Sequence, residues 1–401
     1  MGKVLFYYDN YCGENSHGGT EVATFRIARA LKDCGREVYN AFRNGKKVEN
    51  SDLYTDVIRL DKAPASFVNQ LAAFINDRQI DVIVNMSRFF RHPLLVKAIE
   101  KSGRDVRLVF MQHFAPGSEW KKGTFHSGFH LFRMDPLNSL YWLRATLYPL
   151  LKLPRKINYP KAYGRVYEDS DRVVLLSRNY IADYKRISGV KDASHFVAIP
   201  NIFESKETAK SFGEIFQSKE KRVLILSRMD EIQKRLSLAL KIWRIIENIP
   251  DLKDWHLDIV GTGHDLSAIR KLSRRLKLKN VTFHGWQRGE PFLKKASVLM
   301  LTSEYEGLPL SILEAQTFGC VPIAFDSFGS LRDVVSDGDT GIVVDKFGDI
   351  EGYAKRLEDL MRNEEMMRCI SEKGIAATSK FSSEIVGKQW EGMLKKIMSD
   401  N

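Results

Sequence analysis

The chain has 401 residues, of which 44% are hydrophobic and 28% charged, and its formal net charge is +12. This length predicts two domains of somewhat under about 200 residues each, and the composition excludes an intrinsically disordered protein. No apolar run reaches the roughly 20 residues of a membrane span, no signal-peptide pattern opens the sequence, and the four cysteines lack zinc-site or disulfide spacing, so we expect a cytoplasmic protein.

Strand and helix patterns alternate along the first half of the chain. An apolar strand at 3–8 leads through a glycine-bearing loop into a helix at 21–34, which Gly35 closes as a C-cap. Further strands are predicted at 80–85, 107–112 and 172–177, with helices at 67–77 and 94–102. This alternation predicts a parallel sheet covered by helices on both faces.

The basic character of the protein belongs to this first half. Residues 1–200 hold 31 Lys and Arg against 20 Asp and Glu. The segment 136–165 has no acidic residue and mixes six basic residues with Tyr and Trp, a composition that suits the surface of an anionic membrane. A solvated basic loop is the alternative. No nucleic-acid-binding motif accompanies the segment, so we expect no nucleic-acid partner.

The same architecture restarts after the Pro200-Asn201 turn. Strands are predicted at 221–227, 256–261, 281–284, 298–302, 321–325 and 341–344, and helices at 236–248 and 265–276. The sequence therefore predicts an α/β protein with two Rossmann-like domains at 1–198 and 199–381, their parallel sheets facing across a cleft. Open parallel sheets bind ligands beyond the carboxyl ends of their strands, so we expect the site there.

Two glutamates separated by seven residues mark the segment "SEYEGLPLSILEAQTFGCVP", which begins at Ser303. Glu306 lies in a loop after the strand 298–302, and Glu314 lies in a helix that begins at Pro309. Eight residues of helix span about 12 Å, whereas paired glycosidase carboxylates are at most about 9.5 Å apart. Two acceptors this far apart, beside a helix N-terminus, suit a long ligand with an anionic middle, such as a nucleotide-sugar.

This segment resembles the E-x7-E region of the retaining glycosyltransferases of family 4, which have the GT-B fold, and the resemblance covers nearly the whole chain. It implies that Glu314 binds the ribose hydroxyls of a nucleotide-sugar donor. It also implies that Glu306 contacts the transferred sugar, aided by the backbone N–H groups of Gly307 and Leu308. The helical tail 382–401 would pack back on the first domain.

The resemblance extends to "LSRMDEIQKR", which follows the first strand of the second half. Arg228 and Lys234 match the residues with which the family holds the donor diphosphate, and a guanidinium and an ammonium suit a leaving diphosphate chemically. Arg235 stands where the family usually has glycine.

Weaker similarities lie elsewhere in the chain. Gly18 and Gly19 resemble the family's first glycine loop, which lets the backbone approach the donor phosphates and the acceptor. His113 matches a histidine near the donor sugar. Gly261 lies in "VGTGHD", where Leu266 replaces the third glycine of a dinucleotide fingerprint, and the nucleobase would rest near Trp286.

We expect neither a metal nor a cofactor. The two D-x-D sequences, Asp169 to Asp171 and Asp337 to Asp339, do not follow strands and are interpreted as turn acids. The predicted activity is metal-independent hexosyl transfer with retained configuration, to a glycan or lipid-linked acceptor in cell-surface polysaccharide or lipopolysaccharide biosynthesis, by a protein that is cytoplasmic or peripheral at the inner face of the membrane. The alternatives are a sugar-nucleotide epimerase or phosphorylase of similar build and a non-catalytic scaffold.

Overall fold

The computed structural model describes residues 2–14, 16, 18–45, 52–121, 131, 132, 134, 143, 146, 147, 153–204 and 211–399. They divide into two compact units. Unit 1 comprises Met1–Pro116, Arg155–Glu204 and Lys380–Asn401, and unit 2 comprises Gly117–Pro154 and Ser205–Ser379.

Unit 1 is built on a seven-stranded sheet in which every described pair of neighbours is parallel. Its strands are β1 Val4–Tyr7, β2 Val38–Phe42, β3 Asp56–Arg59, β4 Val82–Asn85, β5 Arg107–Gln112, β6 Arg172–Leu175 and β7 Phe196–Ala198, in the order β3-β2-β1-β4-β5-β6-β7. Its main helices are α1 Gly19–Asp33, α2 Pro64–Arg78, α3 His92–Ser102, α5 Leu153–Glu168, α6 Tyr180–Ser188 and the C-terminal α16 Ser383–Ser399, while the short α4 Ser118–Lys121 belongs to unit 2.

Unit 2 has a six-stranded sheet, again parallel at every described pair. The strands are β8 Glu220–Leu226, β9 His256–Val260, β10 Val281–Gly285, β11 Ala296–Leu301, β12 Val321–Phe325 and β13 Ile342–Val344, in the order β10-β9-β8-β11-β12-β13. Besides α4, its main helices are α7 Phe212–Gln217, α8 Glu231–Lys234, α9 Leu236–Ile246, α10 Leu266–Arg275, α11 Glu290–Lys295, α12 Leu310–Thr317, α13 Leu331–Val334, α14 Ile350–Arg362 and α15 Glu364–Ala377.

These sheets confirm the predicted pair of parallel α/β domains. Every residue of the central strands β1, β4 and β11 is buried, as expected where helices cover both faces. The strands β2, β3 and β7 had not been predicted; no residue of β3 is fully buried, and β7 has only three residues, too few to show a period.

The division into units differs from the predicted domains at one segment. Gly117–Pro154 groups with unit 2, although its place in the sequence assigned it to the first domain. The reason is packing, because Leu131 and Met134 are buried in the hydrophobic core that also contains Trp243. The change at Glu204 lies close to the predicted boundary at 198, and the C-terminal helix groups with unit 1.

The C-terminal helix α16 is held on unit 1 by close packing and a buried ion pair. Its Gly387 lies so close to Ala30 of α1 that an added Cβ would come within 3.0 Å of the alanine Cβ. The guanidinium of Arg36 donates to both carboxylate oxygens of Glu391, with 3.1 Å between Nη2 and Oε1. Both residues are buried.

Two predictions concern membranes, and the structure tests only the first of them. Within the described ranges, no helix is long and apolar enough to cross a bilayer. Within the basic segment 136–165, the residues 136–142, 144, 145 and 148–152 lie outside the described residues, so its contact with a membrane stays a prediction.

Candidate functional site

The residues predicted to hold the donor diphosphate and sugar follow two adjacent strands of unit 2. The strand order reverses between β8 and β11, which pair directly. Arg228 follows β8, and the loop that carries Glu306 follows β11. Ligands of open α/β sheets bind at this kind of reversal, outside the carboxyl ends of the strands. Topology alone therefore makes this edge of unit 2 the candidate site.

Glycine backbone supports the loop after β8. Gly261 has φ +136°, and a Cβ there would lie 1.9 Å from the carbonyl oxygen of Ser227. A Cβ on Gly263 would lie 2.5 Å from the carbonyl oxygen of Met229, whose N–H donates to the Thr262 carbonyl at 3.0 Å. The loop after β8 and the loop after β9 are therefore packed backbone to backbone, and this close approach requires glycine at both positions. The packing fixes the position from which Arg228 extends.

Lys234 and Glu306 form an ion pair at the centre of the site. Lys234 Nζ lies 2.5 Å from Glu306 Oε1, and the side chains are only 14% and 10% exposed. The hydroxyl of Thr302 donates to the carbonyl oxygen of Lys234 at 2.9 Å, which ties the end of α8 to the end of β11. A cation and an anion are thus held together where the strand order reverses.

Sequence reasoning missed Gln233, which connects these groups. Arg228 Nη2 donates to Gln233 Oε1 at 3.0 Å, and Gln233 Nε2 donates to Glu306 Oε2 at 3.2 Å and to the Tyr305 carbonyl oxygen at 3.3 Å. Its position next to Lys234 is the one sequence signal that could have indicated it, since a glutamine side chain does not by itself indicate a role in catalysis or binding.

The residue in the usual glycine position, Arg235, has a left-handed backbone with φ 49°. Glycine adopts this conformation without strain, which explains why the family that the sequence resembles usually has glycine here. Arginine adopts it at some cost in backbone strain. The Arg235 guanidinium pairs with the carboxylate of Glu304, and Lys121 Nζ lies 3.4 Å from the same carboxylate. The chain thereby gains a second cation–carboxylate contact between α8 and the loop after β11.

Tyr305 is buried between Glu304 and Glu306 in that loop. Burial, reinforced by the negative charge of Asp230, raises the pKa of its hydroxyl. Tyr305 is therefore a neutral group at physiological pH. Its hydroxyl oxygen has no hydrogen-bond partner among the residues that the structure describes.

The second glutamate of the motif lies on α12, as predicted, and is half-buried. Pro309 is the N-cap of this helix and not its first residue, a shift of one position. Leu308 is buried and Gly307 is half-buried in the loop before it. Trp286 follows the left-handed Gly285 after β10 and is 75% exposed, so its ring faces solvent and is available to a ligand.

The predicted residues of unit 1 also lie at the carboxyl edge of their sheet. His113 directly follows β5; burial lowers its pKa to about 4, and its Nε2 is buried without a partner among the described residues. Gly18 is the N-cap of α1 and Gly19 its first residue. A Cβ on Gly19 would meet nothing within 4 Å, so the space beside it is open. How these residues relate to those of unit 2 stays a prediction.

One group of described side chains has the composition of a metal site. Ligand atoms of Asp230, His264 and Asp265 lie within 4.8 Å of one another. However, Asp230 accepts from the backbone N–H of Gln233 at 3.2 Å, and Asp265 accepts from that of Glu231 at 2.9 Å. Both carboxylates therefore have structural roles that require no ion.

The two D-x-D sequences also use their carboxylates within the fold. Asp171 accepts from the Leu108 N–H at 2.7 Å, and Asp337 accepts from the Val343 N–H at 2.9 Å. The absence of a metal stays a prediction.

Comparison with known proteins gives a family match for unit 2. Residues 206–377 match the model described as "Glycosyl transferases group 1". An uncharacterized glycosyltransferase of Haemophilus influenzae is 28% identical over 98% of this chain and 100% of its own length. The poly(glycerol-phosphate) alpha-glucosyltransferase of Bacillus subtilis is 25% identical over 67% of this chain, which spans only 39% of that protein. The lipopolysaccharide 1,6-galactosyltransferase of Salmonella typhimurium is 33% identical over 22% of this chain and 26% of its own length.

Solved structures share the fold at low identity. The lipopolysaccharide outer core galactosyltransferase WaaB has a TM-score of 0.69 at 17% identity and covers 98% of this chain and 99% of its own. Anabaena HepE in complex with UDP-glucose has a TM-score of 0.72 at 16% identity, with the same coverage. The fold is thus that of the GT-B glycosyltransferases. The sequence relatives named here are glycosyltransferases, and the Salmonella protein and WaaB are lipopolysaccharide galactosyltransferases.

Proposed function

We propose that this chain is a retaining glycosyltransferase of family 4. It transfers a hexose from a UDP- or GDP-sugar to a glycan or lipid-linked acceptor in the synthesis of a cell-surface polysaccharide or lipopolysaccharide. The observation that carries the proposal is the cluster of Arg228, Lys234 and Glu306 at the carboxyl ends of β8 and β11. HepE binds UDP-glucose, which favours UDP as the nucleotide.

The cluster suits the departure of a diphosphate. As the bond between sugar and diphosphate breaks, negative charge grows on the leaving oxygen, and preorganised cations stabilise it. Arg228 is exposed at the end of its loop and Lys234 is largely buried, so one can capture the diphosphate from solvent and the other can hold it where the dielectric constant is low. Glu306 then contacts the sugar, and Glu314 the ribose.

The surroundings of Glu306 argue against its use as a covalent nucleophile. One carboxylate oxygen accepts from Lys234 and the other from Gln233, and both bonds withdraw charge from the oxygens. We therefore propose a reaction on one face of the sugar, in which the departing diphosphate oxygen takes the proton of the acceptor hydroxyl. The proposal keeps the roles predicted for Gly18, Gly19, His113, Gly261, Trp286, Gly307 and Leu308, and it involves no metal.

Nucleotide release from a panel of UDP-, GDP-, ADP- and dTDP-sugars tests this proposal, because slow hydrolysis of the donor needs no acceptor. Wild type is compared with Glu306→Ala, Lys234→Ala and the control Lys373→Ala, whose exposed lysine pairs with Asp339 in the same unit. We expect release from one donor, lost in the first two variants and kept in the control. An epimerase would convert the sugar without releasing nucleotide, and a scaffold would bind no nucleoside diphosphate.

We also propose that the basic segment 136–165 contacts anionic membranes. Its Lys and Arg residues would each contribute about 1 kcal/mol near such a surface. Sedimentation with anionic and with neutral liposomes measures this contribution, and equal binding to both would exclude it.

A further inference from the structure

Gln233 lies between the cation that we assign to the diphosphate and the carboxylate that we assign to the sugar. It is only 6% exposed, and its side-chain amide bonds to both Arg228 and Glu306. Its backbone is held as well, because its N–H donates to Asp230 and its carbonyl accepts from the Glu304 N–H at 2.8 Å.

We propose that Gln233 is a positioning residue that sets the relative placement of Arg228 and Glu306 in the donor site. The inference rests on the proposed function, since it assigns these two residues to opposite ends of the bond that breaks. Gln233 itself touches no reacting atom in this scheme. It acts through its neighbours, which is why its effect should appear in turnover more than in binding.

The chemistry of an amide is what the position requires. The carbonyl oxygen accepts from a guanidinium, and the NH₂ group donates to a carboxylate. A hydrocarbon of similar size could do neither, and a carboxylate could only accept. Without the amide, Arg228 keeps its exposed position, but Glu306 loses the hydrogen bond that Gln233 donates to its second oxygen and is held less firmly beside Lys234.

A neighbouring glutamine provides the matched control. Gln316 on α12 is also buried, and its Nε2 donates to the carbonyl oxygens of Val334 and Thr340, both at 2.9 Å. Its amide therefore supports the fold of unit 2 without contacting Arg228, Lys234 or Glu306 in any bond that the structure records. Gln316→Leu reports the effect of losing a buried amide from the scaffold alone.

The experiment compares Gln233→Leu, Gln233→Glu and Gln316→Leu with wild type. It measures the Kd for UDP by calorimetry, and kcat and KM for the sugar nucleotide that wild type hydrolyses fastest in the panel above. For Gln233→Leu we expect a kcat about 10- to 100-fold lower, the scale of a small misplacement of reacting groups, with a UDP Kd within about threefold of wild type. For Gln316→Leu we expect a lower melting temperature and wild-type kcat per folded molecule.

The pH profile of Gln233→Glu separates positioning from stability. The ionised carboxylate would still accept from Arg228 but would repel Glu306, and Asp230 and Glu304 add further negative charge nearby, offset by Lys234. When protonated, the new carboxyl accepts with one oxygen and donates with the other, as the amide does. We therefore expect its kcat relative to wild type to rise as the pH falls from about 8 to about 5.5.

A wild-type kcat for Gln233→Leu, or a Gln233→Glu ratio that does not change with pH, would overturn the inference and leave the proposed function standing. If wild type itself binds no UDP and hydrolyses no donor, the proposed function fails, and the inference fails with it.

Discussion

The ammonium of Lys234 lies 2.5 Å from the carboxylate of Glu306. The lysine is thus partly neutralised by the residue that we assign to the sugar. An incoming diphosphate must compete with Glu306 for Lys234, and this competition gives the two residues opposite effects on nucleotide binding.

We predict a crossed pattern for the two single variants. Glu306→Ala frees Lys234, so the Kd for UDP should stay the same or fall, while turnover of the donor drops by roughly 100-fold or more. Lys234→Ala should weaken UDP binding and turnover together. Calorimetry with UDP and donor-hydrolysis assays measure both quantities, and weaker UDP binding in Glu306→Ala would contradict the assignment of Glu306 to the sugar.

Glu314 should discriminate ribose from deoxyribose. If its carboxylate accepts from the ribose hydroxyls, wild type should bind UDP more tightly than 2′,3′-dideoxy-UDP by about tenfold, the scale of a hydrogen bond to a charged group. Glu314→Ala should bind the two alike. The control is inorganic pyrophosphate, whose affinity should not change. Discrimination that survives in the variant would place the ribose elsewhere.

Gly261→Ala should be the most damaging small substitution near the site. The added Cβ would meet the Ser227 carbonyl oxygen at 1.9 Å in a backbone of φ +136°, so we expect a loss of roughly 2–4 kcal/mol in the free energy of unfolding. Gly338→Ala is the control, because its φ is +72° but an added Cβ meets nothing within 4 Å; it should cost about 1 kcal/mol. Urea unfolding measures the free energy of unfolding of both variants. Equal losses would show that backbone strain, and not the contact with Ser227, destabilises Gly261→Ala.

The buried pair of Arg36 and Glu391 should stabilise the docked C-terminal helix. Glu391→Ala leaves a guanidinium buried without its partner, which typically costs about 3–5 kcal/mol. Glu384→Ala, on the same helix, breaks only an exposed pair with Lys388 and should leave the unfolding midpoint unchanged. A small effect of Glu391→Ala would mean that water reaches Arg36.

The buried His92 and the half-buried His113 should destabilise the fold in mild acid. Burial lowers the pKa of both His92 and His113 to about 4, below the ordinary value of 6.5. Between these values the unfolded chain binds more protons than the folded chain, so stability falls as the pH drops through this window, by roughly 2 kcal/mol per histidine at about pH 5. His92→Gln should therefore show a shallower loss than wild type in urea unfolding at about pH 7 and pH 5. Parallel losses would show that His92 is protonated in the fold.

Local patterns predicted most of the secondary structure because the hydrophobic periodicity of a strand or helix can be recognised within a few residues. The predicted strands 107–112 and 321–325 match β5 and β12 at both ends. Arg228 and Lys234 could be identified from a family resemblance, because both residues lie within one short loop and helix after β8. Gln233 could not, because an amide acquires its role only from the groups that surround it.

The sequence by itself determined the class of fold and the segments that carry the candidate site, because hydrophobic periodicity, glycine positions and charged motifs are local properties of the chain. The tertiary structure alone decided which distant residues meet. Gln233 reaches Glu306 across 73 positions, and Arg36 reaches Glu391 across 355. It also placed Leu131 and Met134 in the core of unit 2. Such contacts depend on strand order, here the pairing of β8 with β11, and on the burial of apolar surface, neither of which can be read from neighbouring residues.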